Sequence, residues 1–270
     1  MRVSALHTYP IKGCYRTDHR DAVVEPWGLV GDRRWVIIDA GGSMLTQREE
    51  PGLVRIKPTA DGSRLRLHAD GHPDVTVASA PGELVDFKVH RTPVRASPVG
   101  AAADGWLSTV LDREVRLLWL DDPTRRPVHE DFSEPGDRVS FADDFPVSLG
   151  NLASLNVLND LIIEAGSDEG PLPMARFRPN IEVSGATPWA EDDWAGGRLR
   201  VGDVMFRAPK GLSRCVVTTT DQEAGTRGRE PLRALGRHRN VRQELLFALA
   251  LIPENLGTIA VGDEITVEPR

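Results

Sequence analysis

The stretch Arg64-Leu65-Arg66-Leu67-His68 alternates between charged or polar and apolar side chains. Val75-Thr76-Val77 alternates again, and Trp35–Ile38 is a short run of β-branched and aromatic residues. Turn residues such as Asp61-Gly62 and Asp70-Gly71 separate these runs. Many short strands with turn signals between them are typical of a barrel or sandwich rather than a Rossmann domain. The first hundred residues are therefore predicted to be β structure.

Three later segments are predicted to be helices. Five apolar side chains fall on one side of a helix over residues 151–165, which Asn151 can cap and Gly166 can end. A shorter helix is predicted to begin after Asp104, which is a favourable N-cap residue. The apolar run Val241–Leu251 is predicted to be a third helix.

Most of the remaining sequence is predicted to form strands. Glu114–Leu120 and the β-branched run Val216–Thr220 are two of them, and Asp263–Val267 is the last. A tight hairpin is expected around Gly202-Asp203, which lies between two short apolar runs. Residues 121–137 carry prolines among charged side chains and are predicted to be a loop between two lobes. The fold class is predicted to be mostly β, of the α+β type.

The charge and the apolar runs exclude several classes of protein. The formal net charge is −7, whereas a protein that binds duplex nucleic acid normally carries an excess of Lys and Arg. The strongly apolar run Leu245–Ile252 is far shorter than the roughly 20 residues of a membrane-spanning helix. The N-terminal residues lack the apolar stretch of a signal peptide. We therefore expect a soluble protein that binds neither nucleic acid nor a membrane.

The cysteine content restricts the redox chemistry. The chain has two cysteines, Cys14 and Cys215, which cannot build a disulfide framework. A reducing, cytoplasmic location is the simpler expectation. Two thiolates also fall short of the four that an iron–sulfur cluster usually needs.

The segment with the most chemical information is Ser213-Arg214-Cys215. A guanidinium beside a thiol favours the thiolate, which is the form that attacks carbon or binds a metal. A free cysteine is, however, commonly a small buried hydrophobe. The residues alone leave both interpretations open.

Three further cations are candidate anion-binding residues. Arg178 lies between Phe177 and Pro179, where an arginine is either a structural ion-pair partner or a phosphate clamp. Lys12 precedes a glycine, and a lysine beside exposed backbone amides suits an anion, although a surface lysine is the simpler interpretation. Arg33 adds a cation at the start of a strand. None of these positions is specific by itself.

Taken in order, these segments resemble the MOSC family of molybdenum cofactor proteins, and within it the mitochondrial amidoxime-reducing component and its bacterial homologues. The resemblance runs through nearly the whole chain. It rests on Tyr9-Pro10-Ile11-Lys12-Gly13-Cys14, Gly31-Asp32-Arg33-Arg34-Trp35, residues 141–146, Ala153-Ser154-Leu155-Asn156, Phe177-Arg178-Pro179-Asn180-Ile181, residues 190–194, Ser213-Arg214-Cys215, Thr218-Thr219-Thr220-Asp221, Arg229-Glu230-Pro231-Leu232 and Gly257-Thr258-Ile259.

The resemblance implies roles for eight residues. Cys215 would ligate the molybdenum of a molybdopterin cofactor. The remaining positions would contact the cofactor, since they match the family motifs: Lys12, Gly13, Arg33, Arg178, Asn180, Ser213 and Arg214. A pterin phosphate carries up to two negative charges, which the four cations of this set can neutralise.

The sequence departs from the family pattern at two of these motifs. Gly13 stands where the family usually has serine, which removes one hydroxyl contact and leaves the backbone amide. Asp144 would bring a negative charge near an anionic cofactor. From the two ends of the sequence we also expect neither the membrane anchor of the mitochondrial relatives nor the fused ferredoxin-like domain of some bacterial ones.

The family implies a fold of two interlocked lobes. We expect an N-terminal β-barrel-like domain over residues 1–95, a connecting helix and strand over residues 96–120, and a MOSC β-barrel with flanking helices over residues 121–270. The cofactor would lie in the cleft between the lobes, because Lys12 and Arg33 belong to one and Arg178 and Cys215 to the other.

The family also implies a function. We expect a molybdenum-dependent oxidoreductase that reduces N-hydroxylated compounds such as amidoximes, hydroxamic acids and N-hydroxylated bases. Electrons would come from a separate protein, such as a ferredoxin, a flavoprotein reductase or a cytochrome b5-like protein. Two alternatives stay open: sulfur transfer through a persulfide on Cys215, and a non-catalytic carrier of the cofactor.

Overall fold

A computed structural model describes residues 1–89 and 92–268, and the prediction of a mostly β fold is confirmed. The described strands are β1 (Arg2–Thr8), β2 (Thr17–His19), β3 (Asp21–Glu25), β4 (Gly28–Leu29), β5 (Trp35–Asp39), β6 (Lys57–Asp61), β7 (Arg64–His68), β8 (Val75–Ala78), β9 (Val85–Val89), β10 (Thr92–Pro98), β11 (Val115–Trp119), β12 (Val147–Asn151), β13 (Ile181–Ser184), β14 (Gly197–Val201), β15 (Val204–Ala208), β16 (Gly211–Ser213), β17 (Asn240–Val241), β18 (Glu244–Pro253), β19 (Gly257–Ala260) and β20 (Ile265–Glu268). The α-helices are α1 (Ala101–Leu111), α2 (Leu152–Glu164), α3 (Glu191–Trp194) and α4 (Leu232–His238), and short 3-10 helices cover Pro51–Arg55, Pro123–Arg125, Met174–Phe177 and Val216–Thr219.

The largest sheet has ten strands and joins the two ends of the chain. Its path runs β2-β1-β13-β12-β18-β15-β14-β20, and β16 and β17 also pair with β18. In addition, β3 pairs with β19. The first thirty or so residues therefore pack with strands from the last third of the sequence, so the two lobes are interlocked.

The N-terminal lobe is built from two smaller sheets and α1. One sheet has the order β5-β11-β10-β9 and the other β6-β7-β8. The alternation predicted for residues 64–68 is observed in β7, where Leu65 and Leu67 are fully buried and Arg64 and Arg66 are exposed. Trp35, also fully buried, belongs to the same core. Burying each such side chain contributes roughly 1.5–3 kcal/mol, which ties these short strands together.

The strongest helix prediction is confirmed in detail. Helix α2 begins at Leu152, and the Asn151 side chain accepts a hydrogen bond of 3.0 Å from the amide of Ala153. Gly166 follows the helix with a φ of +72°, a conformation that glycine adopts without strain. The predicted hairpin is also confirmed, because β14 and β15 pair across Gly202-Asp203.

The start predicted for the first helix is wrong. Helix α1 begins at Ala101, with Gly100 as its N-cap, so Asp104 lies inside the first turn. The Asp104 carboxylate instead accepts a hydrogen bond of 2.8 Å from the amide of Leu117. This bond fixes α1 against β11. The strand β11 lies within the segment Glu114–Leu120, which was predicted to be a strand.

The helix predicted over Val241–Leu251 is wrong, since β18 occupies Glu244–Pro253. The strand pairs with β12, β15, β16 and β17, and its residues 247–252 are all buried. A strand buried on both faces has a continuous apolar run, and periodicity cannot distinguish such a run from a buried helix.

The strand predicted over Val216–Thr220 is also wrong, because Val216–Thr219 is a 3-10 helix. The hydroxyl of Thr218 donates to the carbonyl of Cys215 at 2.9 Å. The hydroxyl of Thr219 likewise donates to the carbonyl of Val216 at 2.8 Å. Such local bonds from threonine compete with strand pairing and stabilise the turn.

None of the helices in the described part of the chain combines the length and the apolar character needed to cross a membrane.

Candidate functional site

A cleft of about 180 Å³ lies between loops of the N-terminal lobe and residues of β12 and β16 in the large sheet. The structure brings all eight predicted site residues to this cleft: Lys12, Gly13, Arg33, Arg178, Asn180, Ser213, Arg214 and Cys215. Segments that are far apart in the sequence therefore meet at one place, and the cleft lies between the two lobes.

The cleft is strongly cationic although the chain as a whole is acidic. Its described lining includes six cationic side chains and two acidic ones, in a protein of formal net charge −7. The cations are Lys12, Arg33, Arg48, Arg176, Arg178 and Arg214, and the acids are Asp143 and Asp144. A concave surface lined by one sign of charge concentrates the field and attracts ligands of the opposite sign. The cleft is suited to an anion.

Lys12 is a buried cation that ties the N-terminal lobe to residues 141–143. Its Nζ donates a hydrogen bond of 2.7 Å to the carbonyl of Phe141 and forms an ion pair with Asp143. Burial lowers the pKa of Lys12, and the neighbouring Asp143 carboxylate opposes that effect.

The local backbone and packing explain why a glycine follows Lys12. Gly13 has a φ of +86°, and a Cβ atom built there would lie 2.9 Å from Cδ1 of Leu53. A side chain at this position would be strained and crowded. The family's serine could not be placed here without a shift of the backbone or of Leu53.

Arg33 and Arg178 flank the buried ring of Tyr9 from the two lobes. The guanidinium carbons lie 4.5 Å and 4.1 Å from the ring centre, respectively. The Tyr9 hydroxyl donates to the carbonyl of Pro179 at 3.2 Å. Burial raises the pKa of Tyr9 to about 12, so the ring stays neutral between the two cations. Tyr9 is thus a platform that holds two of the predicted cofactor contacts.

The polar contacts of Arg33 and Arg178 also cross between the lobes. Arg33 pairs with the buried Asp32 and donates at 3.1 Å to the carbonyl of Arg178. Arg178 donates at 2.8 Å to Oε1 of Gln222 and at 2.8 Å to the carbonyl of Cys14. Burial lowers the pKa of Arg178 to about 10, which leaves it charged at neutral pH.

Asn180 lines the cleft, but its amide holds the surrounding strands together. Its Oδ1 accepts hydrogen bonds from the amide and hydroxyl of Ser148, both at 3.2 Å, and from Arg33 at 3.3 Å. Its Nδ2 donates to the carbonyl of His7 at 3.1 Å. These contacts give Asn180 a positioning role for Arg33 within the described structure.

Arg214 offers a buried donor to the cleft. Its Nε donates at 2.7 Å to the carbonyl of Phe247, and its Nη1 donates at 3.3 Å to that of Phe177. Its Nη2 is buried without a hydrogen-bond partner among the described residues. Burial lowers the pKa of Arg214 to about 10. A buried guanidinium nitrogen without a partner is costly, and an anionic ligand in the cleft would satisfy it.

The two cysteines lie in opposite environments. Cys215 is exposed at the start of the 3-10 helix over Val216–Thr219, beside the exposed Ser213. Cys14 is fully buried in the core of the N-terminal lobe, and burial raises its pKa to about 12. For Cys14 the interpretation as a small buried hydrophobe therefore holds, whereas Cys215 is accessible to a ligand.

The sequence reasoning missed Arg48, which donates from Nη2 to the sulfur of Cys215 at 3.3 Å. It also missed a buried pair of side-chain amides, in which Gln47 and Gln222 exchange two hydrogen bonds of 3.0 Å. Arg176 lines the cleft as well and donates at 2.7 Å to the carbonyl of Thr219. The polar run Thr46-Gln47-Arg48 was the signal in the sequence, but such a run is ordinarily a surface loop.

Within residues 1–89 and 92–268, no three His, Cys, Asp or Glu side chains are grouped so that they could hold a metal ion.

Comparison with known proteins identifies the family. Residues 1–114 match the MOSC N-terminal beta barrel domain, and residues 136–266 match the MOSC domain. The chain belongs to the MOSC family. It is 31% identical to "Mitochondrial amidoxime-reducing component 1" of Homo sapiens over 97% of this chain and 82% of the relative.

Two further proteins match most of this chain. "Molybdenum cofactor sulfurase" of Drosophila grimshawi is 29% identical over 97% of this chain, which spans 34% of that relative. Among solved structures, the YUAD protein from Bacillus subtilis matches 98% of this chain and 93% of its own, with 11% identity and a TM-score of 0.45.

Proposed function

We propose that this MOSC protein is a molybdenum cofactor-dependent reductase of N-hydroxylated compounds. Amidoximes, hydroxamic acids and N-hydroxylated bases are the substrate classes. The observation that carries the proposal is the exposed Cys215 at the edge of a cationic cleft within an acidic protein. A relative that is 31% identical over 97% of this chain is named for the reduction of amidoximes.

The residues of the cleft fit the phosphate end of the cofactor. The donors that a phosphate requires are the guanidinium groups of Arg33 and Arg178 and the buried Nη2 of Arg214, which has no hydrogen-bond partner among the described residues. Charge-assisted hydrogen bonds from arginine to phosphate are short and strong, and each contributes roughly 1.5–3 kcal/mol. Lys12 would add a further positive charge, although Asp143 already neutralises part of it.

Cys215 fits the metal end of the cofactor. A cysteine thiolate is a soft ligand, and this one lies on the open side of the cleft, where a substrate can approach it. When bound, the cofactor supplies two-electron redox and oxygen-transfer chemistry at its molybdenum, while the protein binds and orients it. In this assignment Cys215 holds the metal, the arginines hold the phosphate, and electrons come from a separate redox protein in the cytoplasm.

Sulfur transfer through a persulfide on Cys215 is the second candidate. The exposure of Cys215 favours it, and so does the similarity to a molybdenum cofactor sulfurase, of which this chain spans 34%. A non-catalytic cofactor carrier is the third, and the cationic cleft would serve that role equally well.

Protein made in a host that synthesises the molybdenum cofactor distinguishes the three. We expect molybdenum and pterin in near-stoichiometric amounts, and turnover of benzamidoxime with an artificial electron donor. Sulfur transfer instead requires a persulfide on Cys215 that reacts with an acceptor thiol. Bound cofactor without turnover of any N-hydroxylated compound would point to a carrier.

A further inference from the structure

Arg48 reaches across the cleft to the predicted metal ligand. It lies in the loop between β5 and the 3-10 helix Pro51–Arg55 of the N-terminal lobe, whereas Cys215 follows β16 of the large sheet. The distance from Nη2 of Arg48 to the sulfur of Cys215 is 3.3 Å, within hydrogen-bonding range for sulfur. The four cations assigned to the phosphate all have oxygen atoms as their hydrogen-bond or ion-pair partners in the described structure. Arg48 differs from them because it donates to this sulfur.

The loop that carries Arg48 is fixed to the opposite lobe. Arg227 donates from Nη2 to the carbonyls of Gln47 and Arg48, at 2.6 and 3.0 Å. The buried Gln47 side chain forms its reciprocal amide pair with Gln222. The backbone amide of Arg48 also donates to Oγ1 of Thr46 at 3.1 Å. An incidental surface arginine would not need these anchors, and together they deliver the guanidinium to Cys215.

We infer that Arg48 is a positioning residue of the metal site, which acts on the bound molybdenum through its hydrogen bond to the Cys215 sulfur. The inference rests on the proposed function. A hydrogen bond from a cation to a ligating thiolate withdraws electron density from the metal and stabilises its more electron-rich, reduced state. Arg48 therefore raises the reduction potential of the molybdenum and makes the metal easier to reduce by the donor protein.

The test compares Arg48→Met with Arg55→Met. Arg55 is exposed, lies in the adjoining 3-10 helix and donates only a long bond of 3.4 Å to the carbonyl of Gly52 in the described structure. Both substitutions remove one positive charge from the same region, but only the first removes the bond to sulfur. The reduction potential is measured on cofactor-loaded protein by a titration that follows the molybdenum signal in electron paramagnetic resonance.

We expect a lower potential in Arg48→Met than in the wild type, and no change in Arg55→Met. Equal potentials in all three proteins, or the same shift in both variants, would overturn the role of Arg48 while leaving the proposed function intact. Wild-type protein that carries no molybdenum on Cys215 would overturn the proposed function, and the redox role of Arg48 with it.

A second measurement needs no cofactor. In cofactor-free protein, removal of the sulfur in Cys215→Ala should shift the guanidinium resonances of Arg48 in nuclear magnetic resonance spectra, because Nη2 of Arg48 lies 3.3 Å from that sulfur. The guanidinium resonances of Arg55 should stay unchanged. Unshifted Arg48 resonances would show that the contact between Arg48 and Cys215 does not form, which contradicts the inference even if Arg48→Met binds cofactor poorly.

Discussion

The guanidinium carbon of Arg178 lies 4.1 Å from the centre of the Tyr9 ring, and the Tyr9 hydroxyl donates to the carbonyl of the next residue, Pro179. Tyr9 follows the first strand of the chain, and Arg178 precedes β13, which pairs with that strand. A cation over a buried aromatic ring is stabilised by up to about 2 kcal/mol. The pairing of the two chain segments therefore also sets the position of a predicted phosphate-binding arginine.

Arg178→Ala should lower cofactor occupancy more than it lowers stability. Loss of a charge-assisted hydrogen bond costs roughly 1.5–3 kcal/mol, or about one to two decades of affinity. The φ of Arg178 is +53°, and alanine bears the same backbone strain, so any change in stability reports the side chain alone. Pterin content and thermal unfolding are the measurements, with substitution of the exposed Arg200 of β14 by alanine as the control. Full cofactor content in Arg178→Ala would show that Arg178 does not bind the phosphate.

Cys215→Ala should abolish N-reduction and leave the protein folded, because Cys215 is exposed. Cys14→Ala should keep most of the activity and lose on the order of 1 kcal/mol of stability, since it removes a small buried side chain. Iodoacetamide should label Cys215 and spare Cys14 in the folded protein. Activity and normal molybdenum spectra in Cys215→Ala would rule out the assigned metal ligand.

The buried thiol of Cys14 should make the protein less stable at alkaline pH. Burial raises its pKa from 9.0 to about 12, so above pH 9 the unfolded state loses a proton that the folded state retains. The free energy of unfolding should fall by up to about 1.4 kcal/mol per pH unit as the pH rises from 9 towards 12. Urea unfolding at pH 8, 9 and 10, under reducing conditions, should show this loss in the wild type and in Cys215→Ala. The loss should be smaller in Cys14→Ala, and an identical slope in all three proteins would refute the assignment.

The sequence was most informative where a local rule decides the structure. The alternation in Arg64–His68, the cap at Asn151 and the turn at Gly202-Asp203 each depend on neighbours in the sequence. The errors at Val241–Leu251 and Val216–Thr220 have the opposite cause. A strand buried on both faces shows no period of two, and threonine hydroxyls that bond to their own backbone override β propensity.

Contacts between the two lobes bring the predicted site residues together, and they also explain why other site residues were missed. Ordered motifs with a family resemblance pointed to eight residues, and the fold brings all eight to one cleft. Arg48, Gln47 and Gln222 acquire their contacts only when the two lobes meet. A bond between Arg48 and Cys215 joins positions that nothing in the sequence relates, so it needs the three-dimensional structure.

The protein should need a separate electron donor. Its two cysteines cannot ligate an iron–sulfur cluster, and the sequence shows no flavin or nicotinamide motif. Purified, cofactor-loaded protein should therefore fail to reduce benzamidoxime with NADH or NADPH alone. Addition of a ferredoxin, a flavoprotein reductase or a cytochrome b5-like protein with its own reductase should restore turnover, measured as benzamidine formed. Efficient turnover with a pyridine nucleotide and no second protein would refute this expectation.

Asp144→Asn should strengthen anion binding by the cleft. Asp144 is exposed at the cleft lining, so its carboxylate opposes an anion that the surrounding cations attract. Because the group is exposed and screened, the gain should be modest, about two- to fivefold in the affinity of cofactor-free protein for inorganic phosphate. The gain should shrink as salt is raised. Asp160→Asn on the exposed side of α2 removes the same charge outside this lining and should leave the affinity unchanged. An equal or weaker affinity in Asp144→Asn at low salt would show that Asp144 helps to hold the cleft together rather than repelling its ligand.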